Sequence, residues 1–291
     1  MEQESRQKRV LTPCQKIEQS IHKKYRKDIW SPFTTAVKRY ELIQERDRIA
    51  VCISGGKDSM LLAKCMQLLQ RVSDVPFTLE FLVMDPGYHP ANRQKIVENA
   101  EKLELPVIIF DSDIFDVANH TDRNPCYLCA RMRRGNLYAK ARELGCNKIA
   151  LGHHFSDVIE TTLMGMLYGA QLQGMRPRLK STNFKGMELI RPLYCVHEDA
   201  IIAWRNYNHL EFLQCACRFT EEYERTNNED GRSKRQETKE LIRHLKKDNP
   251  LVEMNIFNSI HDVNVDTFIG YKAEGIPHSF LEEFRNKDKE A

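Results

Sequence analysis

The hexapeptide Ser54-Gly55-Gly56-Lys57-Asp58-Ser59 constrains this chain more than any other stretch. A short apolar run at residues 49–53 leads into it, and a helix-like run at 60–69 follows. Two adjacent glycines let the backbone turn sharply and approach an anion closely, and the amides of a following helix N-terminus point at that anion. Ser54 and Ser59 add hydroxyl donors, and Lys57 adds a mobile positive charge. The stretch reads as a phosphate cradle between a strand and a helix. It is not a Walker A loop, which needs four residues between its first glycine and a Gly-Lys-Ser/Thr ending. A plain strand-to-helix turn with capping serines accounts for the glycine pair, but not for the whole hexapeptide in this context.

The pattern around the cradle alternates. Residues 78–85, 107–110, 148–152 and 188–193 read as strands. Residues 91–103, 130–144, 158–168 and 197–208 have helical periodicity, the second of these closed by Gly145. Strands separated by helices predict an α/β, Rossmann-like parallel sheet with helices on both faces. Residues 1–47, with no strand signal, read as a basic N-terminal helical arm. Residues 48–210 form the nucleotide domain, and 211–291 a C-terminal region with helices at 237–247 and 254–260. The stretch 275–291 reads as a loosely held tail. In such sheets ligands bind beyond the carboxyl ends of the strands, where the cradle, Asp85 and His153 all fall.

The chain has 291 residues, 41% of them hydrophobic, enough for a sizeable core. Residues 1–10 are polar, with no apolar segment of a signal peptide, and no run is long enough to span a bilayer, so a cytoplasmic protein is expected, with no membrane partner. The net charge of +3 is small, but residues 1–48 carry twelve Lys or Arg against seven Asp or Glu. A second basic cluster, Arg131, Arg133 and Arg134, follows the central cysteines. Together these point to a nucleic-acid partner, beside the plainer reading of solvated faces.

Nine cysteines need an account in a reducing compartment, where disulfides are rare. Cys126-Tyr127-Leu128-Cys129 can grip a metal or cluster or act as a dithiol. It follows the polar stretch 119–124, not a first strand, which argues against a thioredoxin-type role. Cys215-Ala216-Cys217 has a tighter spacing than the second CxxC of a four-thiolate zinc site, so both of its thiolates are less easily aimed at one ion. Three thiolates, two from the first pair and one from the second, suit an iron–sulfur cluster with one iron open. Cys14, Cys52, Cys65, Cys146 and Cys195 read as structural.

The cradle resembles the pyrophosphate-binding loop of the PP-loop ATP pyrophosphatases. Four ordered stretches make the chain similar to the tRNA 2-thiocytidine synthetase (TtcA-type) family: residues 51–59; Cys126 and Cys129 with Arg131, Arg133, Arg134 and Gly135; residues 148–154 with Asp157; and 168–193 from Tyr168-Gly169 through Gly174-Met175 to Ile190-Arg191-Pro192-Leu193. The likeness extends from the N-terminal arm to about residue 260.

The resemblance implies a tRNA sulfurtransferase that adenylates the C2 oxygen of an anticodon-loop cytidine and replaces it with sulfur. It implies ATP, Mg²⁺ and a [4Fe-4S] cluster as cofactors, with Cys126, Cys129 and Cys215 as cluster ligands. It also implies tRNA, a sulfur donor such as a cysteine desulfurase persulfide or sulfide, and a homodimer as partners. It implies that Ser54, Gly55, Gly56, Lys57, Asp58 and Ser59 bind the phosphates. Lys57, Asp58, Asp157 and His153 are the catalytic candidates, with Asp58 and Asp157 positioned for Mg²⁺. Two departures stand out: Arg218 occupies the second position of the last cysteine motif, with Cys217 one residue early, and Ser156 replaces the first of two expected aspartates. Other readings stand beside this one: a persulfide-using thiolase of another tRNA base without a cluster, a zinc-stabilised RNA-binding module without catalysis, and an ATP-dependent amide ligase or lysine-adding tRNA enzyme.

Overall fold

The computed structural model describes residues 10–112, 125–213, 233–282 and 284–285, apart from the side chains of 125–130. The chain opens with α1 (Pro13–His22), a π-turn (Arg26–Trp30) and α2 (Ser31–Arg39). Thr12 caps α1 through a reciprocal box with Gln15, and Pro13 occupies the first turn, where no amide donor is missed. The nucleotide domain follows as β1 (Arg48–Ile53), α3 (Lys57–Val72), β2 (Thr78–Asp85), α4 (Pro90–Lys102), β3 (Val107–Asp111), α5 (Pro125–Glu143) and β4 (Lys148–Ala150). It continues with α6 (Phe155–Gly169), β5 (Arg178–Lys180), β6 (Glu188–Ile190) and α7 (Glu198–Tyr207). The described C-terminal part holds α8 (Lys234–Asp248), α9 (Val252–Ser259) and a hairpin of β7 (Gly270–Ala273) and β8 (Ile276–Ser279).

The main sheet has the order β3-β2-β1-β4-β6-β5. Its neighbours are parallel except β5, which runs antiparallel to β6 at the edge. The α/β sheet predicted from the alternating pattern is therefore present. Chain order reverses between β1 and β4, and such a switch point opens a crevice at the strand ends.

Alternation along β1 divides the core. Ile49, Val51 and Ile53 face one apolar layer with Met60, Leu61 and Trp204, while Ala50 and Cys52 face the other with Tyr138 and Ala141 of α5. The apolar side of the N-terminal arm, Ile17, Ile21, Ile29 and Phe33, belongs to the first layer. Tyr25 Oη donates to the Ala203 carbonyl at 2.9 Å, tying the arm to α7. Lys23, Lys24, Arg26 and Lys27 stay exposed. A third layer joins α6 to the C-terminal helices through Phe155, Val158, Ile159, Ile242 and Phe257.

Several expectations shift. Helix α5 starts at Pro125, not near residue 130, so the Cys126–Cys129 pair lies in its first turn. Pro125 at that end lacks only an amide that a helix start leaves unpaired anyway. The strand expected to reach residue 193 stops at Ile190, before Pro192. The expected tail at 275–291 instead begins inside a hairpin, turning at Gly275 with φ +84°. Gly145 closes α5 with φ +74°, as expected.

Candidate active site

Three chain segments meet at the switch point. The first is the cradle. Gly55 has φ +85°, and a Cβ there would sit 2.8 Å from Ile96 Cγ1 and 3.0 Å from Leu213 Cδ1, so a side chain is excluded on both counts. Gly56 is the extended N-cap of α3. Ser59 Oγ fastens the loop: it accepts from the Ser54 amide at 3.1 Å and donates to the Gly56 carbonyl at 2.9 Å, with Ser54 Oγ 3.2 Å away. The first turn of α3 thus opens on the crevice, and among the described residues no side chain caps it, which suits an anion.

The second segment is the exit of β4. A Cβ on Gly152 would lie 3.0 Å from Ser59 N, 3.1 Å from Asp58 C and 3.2 Å from Ser59 Cα. Glycine lets the two backbones touch, which brings His153 and His154 to the cradle. His154 caps α6: its Nδ1 accepts from the Asp157 amide at 3.3 Å, and its own amide donates to Asp157 Oδ2 at 3.0 Å. With Nδ1 accepting, the ring proton is assigned to Nε2, 3.6 Å from Asp58 Oδ1. Among the described residues His153 Nδ1 is buried without a hydrogen-bond partner. Burial, with Arg191 adding to it, pushes the His153 imidazole down to about 4, so it is neutral at pH 7.

The third segment is α8. Arg235 Nη1 reaches Asp157 Oδ1 at 2.6 Å and Glu160 Oε2 at 3.3 Å. Burial works against the Asp157 charge, but His154, His153 and Arg235 hold its carboxyl below the ordinary aspartate value. Burial dominates at Glu160 and raises it to about 7 despite Arg235. One turn on, Lys239 pairs with Glu198, the first residue of α7. Glu198 in turn lies 3.0 Å from Lys57 Nζ, whose other partner is Asp58 Oδ2 at 3.1 Å. Burial would raise the Glu198 carboxyl, yet Lys239 and Lys57 bring it down to about 2.

A cavity of about 320 Å³ opens here, lined among others by Ser54, Asp58, Ser59, His153, Asp157 and Arg133. The structure thus brings together the cradle, Asp58, Asp157 and His153, as the sequence predicts. The two carboxylates differ. Asp157 has both oxygens engaged by protein donors, whereas Asp58 Oδ1 is buried without a hydrogen-bond partner among the described residues. That oxygen, beside a glycine cradle, fits a cation that accompanies phosphate. Asp85 lies at a strand end as predicted, but its Oδ1 accepts the Gly87 and Tyr88 amides and its Oδ2 meets Arg93, so the turn consumes it. Ser156 Oγ accepts the Glu198 amide at 3.4 Å. The sequence reading missed Glu198, Arg235 and Lys239. Only the four-residue spacing of the two cations, which shares one helix face, hints at them.

Cys126 and Cys129 stand three residues apart in the first turn of α5. Arg133 and Leu137, one and two turns farther along the same helix, line the cavity. A pair at that spacing at a helix start suits soft thiolate binding. Cys215 and Cys217 lie outside the described residues, and no cluster of three or more His, Cys, Asp or Glu able to hold a metal occurs among the described ones. Cys14, Cys52, Cys65 and Cys146 are buried and Cys195 half-buried, in keeping with structural roles.

The PP-loop domain family matches residues 18–227. A tRNA-cytidine(32) 2-sulfurtransferase of Citrifermentans bemidjiense is 33% identical over 233 residues, 79% of this chain and 88% of that relative. The enzyme of the same name from Photobacterium profundum is 34% identical over 212 residues, 71% of this chain and 68% of the relative. Among solved structures, the U34-tRNA thiolase NcsA from Methanococcus maripaludis with its [4Fe-4S] cluster shares the fold at a TM-score of 0.62. Its identity is 20%, covering 82% of this chain and 81% of that one. The chain belongs to the PP-loop domain family and, within it, to the tRNA 2-thiocytidine synthetase (TtcA-type) family.

Proposed function

We propose that this protein is an ATP-dependent tRNA sulfurtransferase that adenylates the C2 oxygen of an anticodon-loop cytidine and replaces it with sulfur. One observation carries the reading beyond family membership: α5, which bears the Cys126–Cys129 pair, lines the same cavity as the glycine cradle. Relatives named for 2-sulfuration of cytidine 32 in tRNA support the substrate class.

In this reading the amides of Gly55 and Gly56, the hydroxyls of Ser54 and Ser59, and Lys57 hold the β- and γ-phosphates. They stabilise the charge that grows on pyrophosphate as the cytidine oxygen attacks the α-phosphate. Asp58 offers its open oxygen to Mg²⁺. Asp157, pinned by Arg235 and the His154 amide, orients the near edge of the cavity. Neutral His153 acts as a hydrogen-bond partner or proton acceptor, not as a standing imidazolium. Cys126, Cys129 and Cys215 would hold the [4Fe-4S] cluster, which supplies an open iron position able to carry sulfur. Departure of AMP as sulfur forms its bond to C2 completes the exchange. The exposed lysines and arginines of the arm, with exposed Arg131 and Arg134, give tRNA a cationic surface in a cytoplasmic enzyme. A sulfide or persulfide donor and a homodimer complete the proposed partners. No helix among the described residues is long and apolar enough to cross a membrane.

The test joins two measurements on protein purified without oxygen. Lys57→Ala should lose tRNA-dependent AMP formation; normal adenylation in that variant would sink the phosphate assignment. Iron and acid-labile sulfide should approach four of each per chain and fall away in Cys215→Ala. Retention in that variant transfers the third-ligand role to Cys217. Zinc, or full turnover of metal-free protein with a persulfide donor, overturns the cluster.

A further inference from the structure

The ammonium of Lys57 is not free to swing. Two of its three donors are taken, by Asp58 Oδ2 at 3.1 Å and Glu198 Oε1 at 3.0 Å, and one remains for an incoming phosphate. Burial opposes its charge, and the two carboxylates more than offset this, holding it above the ordinary lysine value. Glu198 is itself a hazard to an anion. Its side chain is only 13% exposed, so its charge is poorly screened, and it stands beside the residue that greets phosphate. The balancing charge comes from Lys239 on α8, which pairs with the other Glu198 oxygen. Lys57 and Lys239 therefore cancel Asp58 and Glu198, two against two.

Helix α8 is held in place by other means. Thr238 and Ile242 are buried, and Ile242 packs with Phe155 and Phe257. The Lys239 ammonium is thus not what docks the helix. Arg235, one turn earlier on the same face, makes the matching contact to Asp157.

We propose that Lys239 is a positioning residue of the nucleotide site, acting through Glu198: it neutralises the carboxylate that fixes Lys57, so that Lys57 is held in place without a net negative charge facing ATP. The inference rests on the reading of the cradle as the ATP phosphate site. It makes a helix from the far end of the chain part of that site. Removing the Lys239 charge leaves Glu198 uncompensated beside the phosphates. Removing the Glu198 charge as well restores neutrality, leaving Lys57 balanced by Asp58.

The experiment measures the dissociation constant of Mg²⁺-ATP by calorimetry on the full-length protein, at low and at 0.3 M salt. Lys239→Met should weaken binding about tenfold at low salt and less at high salt, the order expected for one poorly screened charge near an anion. Lys239→Arg should stay within about twofold of wild type, and Lys239→Met combined with Glu198→Gln should recover most of the lost affinity. A purely structural lysine would lower the urea midpoint of the single variant and leave the Mg²⁺-ATP dissociation constant and its salt dependence unmoved, since recovery of stability alone in the double variant follows for any buried ion pair. Unchanged affinity in Lys239→Met, or a double variant no tighter than the single one, overturns the inference. A Lys239→Met chain that loses its circular-dichroism spectrum overturns the separate docking of α8. If the wild-type protein binds no ATP at all, it is the nucleotide reading that fails.

Discussion

Gly152→Ala is the smallest change that should disable the nucleotide site. The new methyl carbon would meet Ser59 N at 3.0 Å, Asp58 C at 3.1 Å and Ser59 Cα at 3.2 Å. All three are backbone atoms in the first turn of α3, so no flexible side chain can swing aside. The turn must move by a few tenths of an ångström, or β4 must. Both lie in a packed core, where inserting a methyl group costs about 1–3 kcal/mol. The displacement does not stop at Ser59, because its hydroxyl ties the Ser54 amide and the Gly56 carbonyl. The cradle shifts with the helix, and the expected result is both a lower urea midpoint and a KM for ATP raised about tenfold or more in pyrophosphate release. Gly135→Ala is the matched control. A Cβ there meets nothing within 4 Å, and the site is inside α5, so alanine should stabilise by about 0.5–1 kcal/mol. If both variants show the same stability and the same KM as wild type, the close backbone approach is not what sets the cradle, and the reasoning fails.

Two further outcomes follow from buried charges. Glu160, raised from 4.5 to about 7, holds a proton in the folded state that the unfolded chain releases between those values. Stability from this group is therefore present at low pH and lost as pH rises through about 7, by up to about 3 kcal/mol. Glu160→Gln should gain on wild type in urea unfolding at pH 8 and lose that advantage by pH 5; an equal gap at both pH values would refute it. Lys148 is fully buried and bonds Asp47 Oδ2 at 2.6 Å and the Leu42 carbonyl at 3.1 Å. Lys148→Met strands the Asp47 charge and should cost about 3–5 kcal/mol, whereas a loss below about 1 kcal/mol in the same assay would show that Asn147 Nδ2 and the Gln44 amide, which also donate to Asp47, suffice for it.

The parts of the fold that the sequence made legible are those in which one short segment carries its own instruction. An apolar run, two glycines and a capping hydroxyl specify β1, the turn and α3 locally, and burial on both faces then makes β1 central. The edges were harder. β5 is a three-residue strand whose pairing with β6 is antiparallel, and nothing in Arg178-Leu179-Lys180 separates it from a loop. The hairpin of β7 and β8 is exposed along most of its length, so it lacks the alternation that marks a half-buried strand. The start of α5 lies before the residues that show helical periodicity, because its first turn opens on Pro125 and the cysteine pair, which carry no apolar repeat.

At the site, the same distinction separates residues that bind from residues that hold. Asp58, Asp157 and His153 lie within short motifs next to strand ends, and the sheet's switch point brings those ends together, so their grouping was legible. Glu198, Arg235 and Lys239 belong to no motif. Glu198 is an acidic residue at a helix start, which the helix dipole favours anywhere, and the two cations sit on a helix rich in others. Their roles arise only when α8 packs on α6 and brings its charges over the carboxylates. The converse holds at Asp85, where position predicts a ligand and local geometry spends the carboxylate on two turn amides. Position in a fold therefore nominates a functional carboxylate, but the count of its unsatisfied oxygens decides. By that count Asp58, with one buried oxygen still open, is, among the described residues, an acidic group of this crevice left to meet a cation.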